Sequence, residues 1–336
     1  MTPRRAAPLR LGILGAARIA RGFVAGVAGS PAVAVTAIAS REVARARAFV
    51  RDTGTALVVH ASYDALLADD DVDAVYVPLP NGLHGAWSIR AMEAGKHVLC
   101  EKPLAATVTE AMAMYDTARA CGVRLVEAYP YRSQPQTLRL QELLAEGAIG
   151  RVQLVQASFG FPLVDRTDIR FDAELAGGAL MDLGSYPLSL IRMISGAAPV
   201  AMQALGHWDA LDVDRAAIVS LQFADGMLAQ AACSFETAVH RQALIAGDAG
   251  SIETTFANHS DLGPPPVIRI RRGTGRRDAW EEIEVARMNG FRAEAEAFAG
   301  YVRGAEWNGI SEAESLDVAA MLDGLRALVA TERGGT

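Results

Sequence analysis

The stretch GILGAARIA, residues 12–20, decides the fold at the start of this chain. It closes an aliphatic run and opens an amphipathic one, so it marks a strand-to-helix junction. Compared with the G-x-G-x-x-G fingerprint, it has Gly15 at the tight turn and Ala17 and Ala20 in two glycine positions. Such small residues let the backbone approach a pyrophosphate, although a turn rich in Ala and Gly can also serve packing alone. The expected dinucleotide contacts are Gly12, Gly15, Ala16, Ala17, Arg18 and Ile19.

Around this turn, residues 9–129 alternate short β-branched runs with longer amphipathic stretches. This pattern predicts βαβ units that form one doubly wound Rossmann sheet of six parallel strands. The turn lies in the first βαβ unit, as dinucleotide binding requires. The predicted strands are 10–14, 33–39, 57–60, 74–79, 97–101 and 124–127, and the predicted helices are 18–28, 42–52, 63–68, 83–94 and 108–120.

After Ser133 the pattern changes to successive strands with few helices between them. It predicts a second α/β domain with an open antiparallel sheet. We therefore expect a Rossmann domain over 1–130, with residues 1–8 disordered, and a second domain over 131–336 whose terminal helices could pack back on the first. The predicted strands are 152–161, 202–207, 216–223, 227–235, 241–246 and 250–255, and the predicted helices are 136–146, 179–194, 291–303 and 312–332.

The composition narrows the class of partner. A net charge of −7 disfavours a nucleic-acid partner and leaves a small molecule as the expected one. The three cysteines have neither disulfide nor zinc spacing, so we expect a reducing compartment and no metal. Arginines interrupt the apolar stretch that an export signal after Arg4 and Arg5 would need, and no run is long enough to span a membrane. A cytoplasmic protein is the resulting expectation.

The end of the second predicted strand distinguishes NAD from NADP. An acidic residue there would bind the ribose 2′-hydroxyl, but the sequence has Ser40 and Arg41. Arg45 lies one helical turn after Arg41, so both guanidinium groups can reach a 2′-phosphate. NADP is therefore the predicted cofactor, with NAD as the alternative because Glu42 is adjacent and both arginines could simply be solvated.

Lysine is rare here, and this makes Lys102 a candidate for chemistry. The chain has two lysines, Lys96 and Lys102, among 32 basic residues. The pKa of an ammonium group can shift enough for it to lose its proton, whereas a guanidinium group stays charged. Where the chemistry needs such an ammonium group, arginine cannot replace lysine, even in a chain as rich in arginine as this one. Lys102 ends a predicted parallel strand, where ligands bind in open α/β sheets, although a solvated lysine at a strand end is the simpler alternative.

Several motifs together resemble the glucose-fructose oxidoreductase and inositol dehydrogenase family, Gfo/Idh/MocA. The resemblance covers the whole chain and implies a Rossmann domain, a second domain with a large and mostly antiparallel open sheet, oligomers formed through that sheet, and a cis proline after Lys102. It also implies that Asn81 and His84 contact the nicotinamide ribose. The motifs are PLPNGLH (78–84), AGKHVLCEKP (94–103), VEAYPYRSQPQ (126–136), AGGALMDLGSYPL (176–188) and MNGFRAEAEAFAGYVRG (288–304).

Asp182 and Tyr186 are the second pair of candidate catalytic residues. They stand four apart, so they share one face of the predicted helix. Inositol dehydrogenases usually have histidine at the second position, so Tyr186 resembles instead the branch with NADP-dependent D-xylose dehydrogenase and dimeric dihydrodiol dehydrogenase. A phenol is a poor base at neutral pH unless a cation helps it, which Lys102 would do. We expect Tyr186 to take the substrate proton, Lys102 to hold the hydroxyl, and Asp182 to bind a neighbouring hydroxyl or orient the lysine.

The remaining candidates complete the expected site. Leu79, Pro80 and Glu101 are expected beside the cofactor, and Arg170 is expected to reach substrate or phosphate. Tyr129, Tyr131 and Arg132 are expected either to line the substrate pocket or simply to pack.

The expected function is oxidation of a cyclic polyol by NADP, first of all of an aldopyranose such as D-xylose or D-glucose at C1. The alternatives are a trans-dihydrodiol dehydrogenase, a ketose or imine reductase, and a non-catalytic dinucleotide-binding sensor. A homodimer or homotetramer through the second sheet is also expected, because its apolar strands need a covering face.

Overall fold

The computed structural model of the chain describes residues 7–208 and 212–331, so the predictions for residues 1–6 and for the helix end at Glu332 lie outside the described residues. The chain forms two compact units. The first consists of the chain up to Ala105, Thr109–Ser133 and Asn289–Glu312. The second consists of Ala106–Val108, Gln134–Met288 and the chain from Ala313 onward. The main boundary therefore lies three residues after the predicted one, and one segment from the C-terminal part belongs to the first unit.

The first unit is built on a six-stranded sheet in the order β3-β2-β1-β4-β5-β6, with every adjacent pair parallel. β1 and β4 are buried along almost their whole length, because helices cover both faces of such a sheet. The doubly wound fold is confirmed. Its strands are β1 (Leu9–Leu14), β2 (Val33–Ala39), β3 (Val58–His60), β4 (Ala74–Val77), β5 (His97–Glu101) and β6 (Leu125–Ala128).

Among the described residues, six helices belong to this sheet or to the core around it. They are α1 (Arg18–Val27), α2 (Val43–Thr53), α3 (Tyr63–Leu67), α4 (His84–Glu93), α5 (Val108–Cys121) and α8 (Gly290–Val302). Asn289 starts α8, where its side chain accepts hydrogen bonds from the N–H groups of Phe291 and Arg292. Phe291 is packed edge-on against Phe23 of α1, so apolar burial holds this late segment in the first core.

The second unit contains an eight-stranded sheet in the order β14-β13-β12-β11-β7-β10-β9-β8. Within this second sheet, the β7–β10 pair is parallel and the other described pairs are antiparallel, which confirms a mostly antiparallel sheet. Three helices accompany it: α6 (Pro135–Ala145), α7 (Ser185–Ser195) and α9 (Glu312–Thr331). The strands are β7 (Val152–Gly160), β8 (Ala201–Trp208), β9 (Asp214–Gln222), β10 (Leu228–Ser234), β11 (His240–Gly247), β12 (Gly250–Thr254), β13 (Val267–Arg272) and β14 (Glu281–Glu284).

Two features of the second unit differ from the prediction. The strands β13 and β14 were not predicted, and they extend the sheet from β12. The predicted continuous helix over 179–194 begins instead as a π-helical turn, Leu180–Gly184, before α7. Such wide turns occur often at functional sites. None of the described helices is long and apolar enough to cross a membrane.

Candidate active site

The turn after β1 has the geometry that a dinucleotide loop needs. Gly15 adopts a φ of +110°, and its N–H donates to the Ala39 carbonyl at 2.8 Å. A Cβ atom at this position would be strained and would lie 2.9 Å from Leu79 Cδ2. Gly12 has a different role, because a Cβ atom there would lie 2.7 Å from Leu66 inside the core. The structure thus brings Gly15 and Leu79 together and favours packing as the reason for Gly12.

The N-terminus of α1 is suited to an anion. Ala17 precedes the helix in an extended conformation, no side chain of the described residues caps it, and its first turn has no acidic residue. The first N–H groups of a helix have no partner within the helix, and its dipole favours negative charge at this end. Ala16 and Ala17 are half-buried, and Arg18 and Ile19 are exposed beside them. A pyrophosphate fits this end of the helix.

The residues predicted to determine the preference for NADP over NAD follow the end of β2. Ser40 is buried, and Arg41 and Arg45 are exposed. Both guanidinium groups lie near the Tyr63 phenol, whose pKa burial raises while the two positive charges oppose that rise. The structure therefore brings Arg41 and Arg45 together beside one side chain, as a shared 2′-phosphate site requires.

The segment between β4 and α4 is held by His84. Its imidazole is fully buried, with Nδ1 2.8 Å from the Pro103 carbonyl and Nε2 2.7 Å from the Leu79 carbonyl. Burial, aided slightly by the charge of Lys102, lowers the pKa of His84 to about 4, so the neutral ring donates to one carbonyl at a time. This arrangement favours a role in joining two loops over direct contact with a ribose. Pro80 and Asn81 are half-exposed in the same segment.

The two lysines have different environments. Lys96 is 8% exposed, and its Nζ donates to the carbonyls of Asp69 and Val72 at 2.7 and 2.8 Å, which is a structural role. Lys102 is half-exposed at the carboxyl end of β5, and its bond to Pro103 is cis. The cis proline implied by the family resemblance is therefore present. Of the two lysines, Lys102 is the one placed where ligands bind in this fold.

Two buried carboxyl groups lie near each other in the first unit, and one of them, Glu101, precedes Lys102 in the sequence. Glu101 accepts a hydrogen bond of 2.5 Å from the Tyr76 hydroxyl. Glu294 of α8 is 1% exposed, and burial, together with the charge of Glu101, raises the pKa of its carboxyl well above the usual range. Neither the packing of Glu294 nor its link to Glu101 was predicted, because the two residues are far apart in sequence.

In the second unit, Asp182 is paired with Arg170. The guanidinium Nε donates to Asp182 Oδ2 at 2.5 Å, and its Nη1 donates to Asp168 at 3.2 Å. The charge of Asp182 raises the pKa of Arg170 further above its already high value, so the guanidinium stays charged. Asp182 is therefore a carboxylate with a fixed orientation. Asp168 was not predicted, although its position two residues before Arg170 was a usable signal.

The π-helical turn that carries Asp182 is itself anchored by a buried carboxylate. Asp214 Oδ2 accepts from the Leu180 N–H at 2.6 Å, and burial raises the pKa of Asp214 to about 6. Tyr186, four residues after Asp182, lies in the first turn of α7 and is 5% exposed. Its hydroxyl accepts from Asn258 Nδ2 at 2.9 Å, and the Arg241 guanidinium lies 4.0 Å from its ring centroid. Asn258 and Arg241 were not predicted, because only the sheet brings them to α7.

The residues predicted to line the substrate pocket are buried. Tyr129, Tyr131 and Arg132 are at most 2% exposed, so they face no solvent-accessible space and the structure favours packing for all three. Among residues 7–208 and 212–331, no group of His, Cys, Asp and Glu side chains could hold a metal ion.

Comparisons with known proteins agree with this geometry. Residues 9–129 match the model of an oxidoreductase family with a NAD-binding Rossmann fold, and residues 137–253 match the GFO/IDH/MocA C-terminal domain. The chain is 36% identical over 318 residues to D-xylose 1-dehydrogenase (NADP(+)) 2 of Haloferax volcanii, covering 94% of this chain and 96% of that protein. It is 36% identical over 248 residues to trans-1,2-dihydrobenzene-1,2-diol dehydrogenase of Danio rerio, covering 73% and 74%.

A solved structure is similar over almost the whole chain. It is a 3-ketoreductase from Actinomadura kijaniata in complex with NADP and TDP-benzene, with a TM-score of 0.86, 34% identity, and coverage of 95% of this chain and 97% of that one. The resemblance noted in the sequence is thereby confirmed, and the NADP named for these relatives agrees with the predicted cofactor. The chain belongs to the GFO/IDH/MocA family of oxidoreductases.

Proposed function

We propose that this chain is an NADP-dependent dehydrogenase that oxidises a hydroxyl-bearing carbon of a cyclic polyol, first of all an aldopyranose such as D-xylose or D-glucose at C1. The observation that carries this proposal is the half-exposed Lys102 at the carboxyl end of β5, next to the fixed loop of Leu79 and His84. The similarity to an NADP-dependent xylose dehydrogenase along 94% of the chain supports the substrate class.

The cofactor would be held by groups at the ends of the Rossmann strands and at the start of α1. The N–H groups at the start of α1 would bind the pyrophosphate, and Ser40, Arg41 and Arg45 would bind the 2′-phosphate. Asn81 would reach the ribose from its half-exposed position, and Glu101 would support the strand end that carries Lys102. When bound, the nicotinamide accepts a hydride at C4.

The proton would be handled by the chain's own residues. Lys102 would donate a hydrogen bond to the substrate hydroxyl and favour its ionised form. Tyr186 would take the hydroxyl proton as a phenolate while the hydride leaves the same carbon, which yields a lactone from an aldopyranose. Asp182, held by Arg170, would accept a hydrogen bond from a neighbouring hydroxyl. In the reverse direction the same groups would reduce a ketone.

The test is the absorbance at 340 nm of purified protein with NADP or NAD and a panel of aldoses, inositols and dihydrodiols. We expect NADP reduction with an aldopyranose in the wild type and a loss of about 100-fold or more in kcat for Lys102→Met, since general acid–base groups contribute about 10²- to 10⁴-fold. Cofactor binding without turnover on any substrate in either direction would contradict the proposal and favour a dinucleotide-binding sensor.

A second candidate is the reduction of a keto sugar carried on a nucleotide. The similar 3-ketoreductase was crystallised with TDP-benzene as well as NADP, also as variants at a lysine and at a tyrosine. Oxidation of NADPH by a dTDP-linked keto sugar, with no activity on free aldoses, would favour this candidate. A third candidate is the oxidation of a trans-dihydrodiol, which the similarity to the Danio rerio enzyme supports. The dihydrodiols in the substrate panel test this candidate.

We also propose that copies of the chain associate, as a homodimer or homotetramer, through the outer face of the second sheet. On this face Leu205 lies opposite Ile218, and both are more than half exposed, whereas Val219 and Leu221 of the same strand as Ile218 are buried on the other face. A concavity of about 740 Å³ also lies on the sheet, with Gln156 and Gln230 in its lining.

A cytoplasmic location stays a prediction, consistent with three free cysteines.

A further inference from the structure

A guanidinium group is surrounded by aromatic rings next to the phenol of Tyr186. Arg241 lies on β11 opposite Phe159 of β7. Its guanidinium carbon is 4.0 Å from the ring centroid of Tyr186, 4.7 Å from that of Phe159 and 4.9 Å from that of Phe256. The Phe159 and Tyr186 rings also meet edge to face at 5.5 Å. The position of the cation over the Tyr186 ring is therefore fixed by packing on several sides.

Asn258 connects this cation to the phenol oxygen. Its Oδ1 accepts from Arg241 Nη2 at 3.1 Å, and its Nδ2 is 2.9 Å from the Tyr186 hydroxyl. A guanidinium group can only donate, so the amide oxygen must face Arg241 and the amide N–H must face Tyr186. The phenol oxygen is consequently the acceptor in this hydrogen bond.

We propose that Arg241 and Asn258 are positioning residues that stabilise the phenolate form of Tyr186 before any substrate binds. A hydrogen bond to the charged oxygen and a cation over the ring both favour the ionised form. A catalytic role for this phenolate rests on the function proposed above. The easier ionisation of Tyr186 does not depend on that function and can be measured without it.

The charged and titratable groups around Tyr186 do not cancel the stabilisation of its phenolate by Arg241 and Asn258. Asp182, one turn before Tyr186, would oppose a second negative charge, but its carboxylate is paired with Arg170 at 2.5 Å. His259 lies near Arg241, and burial lowers its pKa, so it is neutral around pH 7. Asp261 acts on that histidine from the same segment. Arg241 is therefore a cation that acts on the phenol from within the second unit.

The test is a spectroscopic titration of tyrosinate absorbance, without substrate, in the wild type and in Tyr186→Phe. We expect the difference between the two titrations to show a phenol that ionises below the ordinary range near pH 10. Arg241→Met should raise that midpoint by about one pH unit, equal to about a tenfold loss of phenolate at neutral pH. Arg241→Lys should restore part of the shift, because it keeps the charge but not the planar contact.

Asn258→Asp is the second variant, because it keeps the shape of the side chain but cannot donate to the phenol. It should raise the midpoint at least as much as Arg241→Met. The matched control is Arg271→Met, which removes another arginine stacked on an aromatic ring, that of Trp280. Unchanged midpoints in Arg241→Met and Asn258→Asp would overturn the inference even if the enzyme turns over sugars. A lowered midpoint that both variants raise would uphold it even if the substrate panel shows no turnover.

Discussion

At the scale of single residues, some charged side chains of the described chain hold the structure, and others are half-exposed or exposed just after strands of the Rossmann sheet. Lys96 is fixed to two backbone carbonyls, whereas Lys102 is half-exposed at a strand end. Arg170 holds a carboxylate, whereas Arg41 and Arg45 are exposed beside Tyr63. This difference is the basis of the first two predictions.

Cofactor preference is expected to depend on Arg41 and Arg45. Replacing both with Ala should lower kcat/KM with NADP, relative to NAD, by about tenfold or more, because charge-assisted contacts to a 2′-phosphate are lost. Steady-state kinetics with both cofactors measure this ratio, and Arg47→Ala on the same helix is the control. An equal loss with NADP and NAD would show that the arginines do not distinguish the two cofactors.

Glu294 is expected to make stability depend on pH. Burial raises the pKa of its carboxyl in the folded state, so the neutral form is preferred there and its stabilising effect declines as the pH rises above about 4.5. Relative to the wild type, Glu294→Gln should therefore gain free energy of unfolding as the pH rises, by at most about 1.4 kcal/mol per pH unit.

Urea unfolding of both proteins between pH 5 and pH 8 measures this difference. The matched control is Glu296→Gln, which changes a half-exposed glutamate of the same helix. A difference between Glu294→Gln and wild type that stays constant over this range would show that Glu294 is ionised in the folded protein.

At the scale of elements, the π-helical turn before α7 carries Asp182 and depends on Asp214 from a neighbouring strand. Asp214→Ala would leave the buried Leu180 N–H without its acceptor, so we expect a loss of about 1–3 kcal/mol in the free energy of unfolding. The control is Asp225→Ala, which removes a similar bond to a backbone N–H in an exposed turn. Denaturant titration of both variants is the measurement, and equal losses would contradict the anchoring role.

The strands that were missed show how sequence signals fail at this scale. β13 contains Ile268 and Ile270, both fully buried, alternating with arginines, so its pattern was a usable signal of a strand. β14 has three glutamates in four residues and no such signal. It pairs with β13 in register, and the Arg272–Glu281 ion pair adds to the hydrogen bonds between the strands.

At the scale of the whole molecule, the outer face of the second sheet predicts association. Leu205 and Ile218 form an exposed apolar pair on this face, and Ile218→Glu replaces one of the two with a charged residue. The proposed oligomer should then dissociate, so the molar mass from light scattering after size exclusion should be lower for the variant than for the wild type. Val58→Glu is the matched control, because Val58 is 57% exposed on a strand of the other unit. A wild type that is monomeric at micromolar concentration would contradict the proposed interface.

The sequence alone determined the Rossmann unit, most of the second sheet and the family, and it predicted Lys102, Asp182 and Tyr186 as candidate catalytic residues. These follow from local pattern: hydrophobic period, small residues at a turn, and motifs of a few residues. The tertiary structure decided what surrounds them, since Asn258 lies 72 residues from Tyr186 in sequence and still contacts its hydroxyl. It also decided that His84 joins two loops and that Glu294 is buried near Glu101. Burial and charge at a site come from segments far apart in the chain, so local pattern cannot supply them.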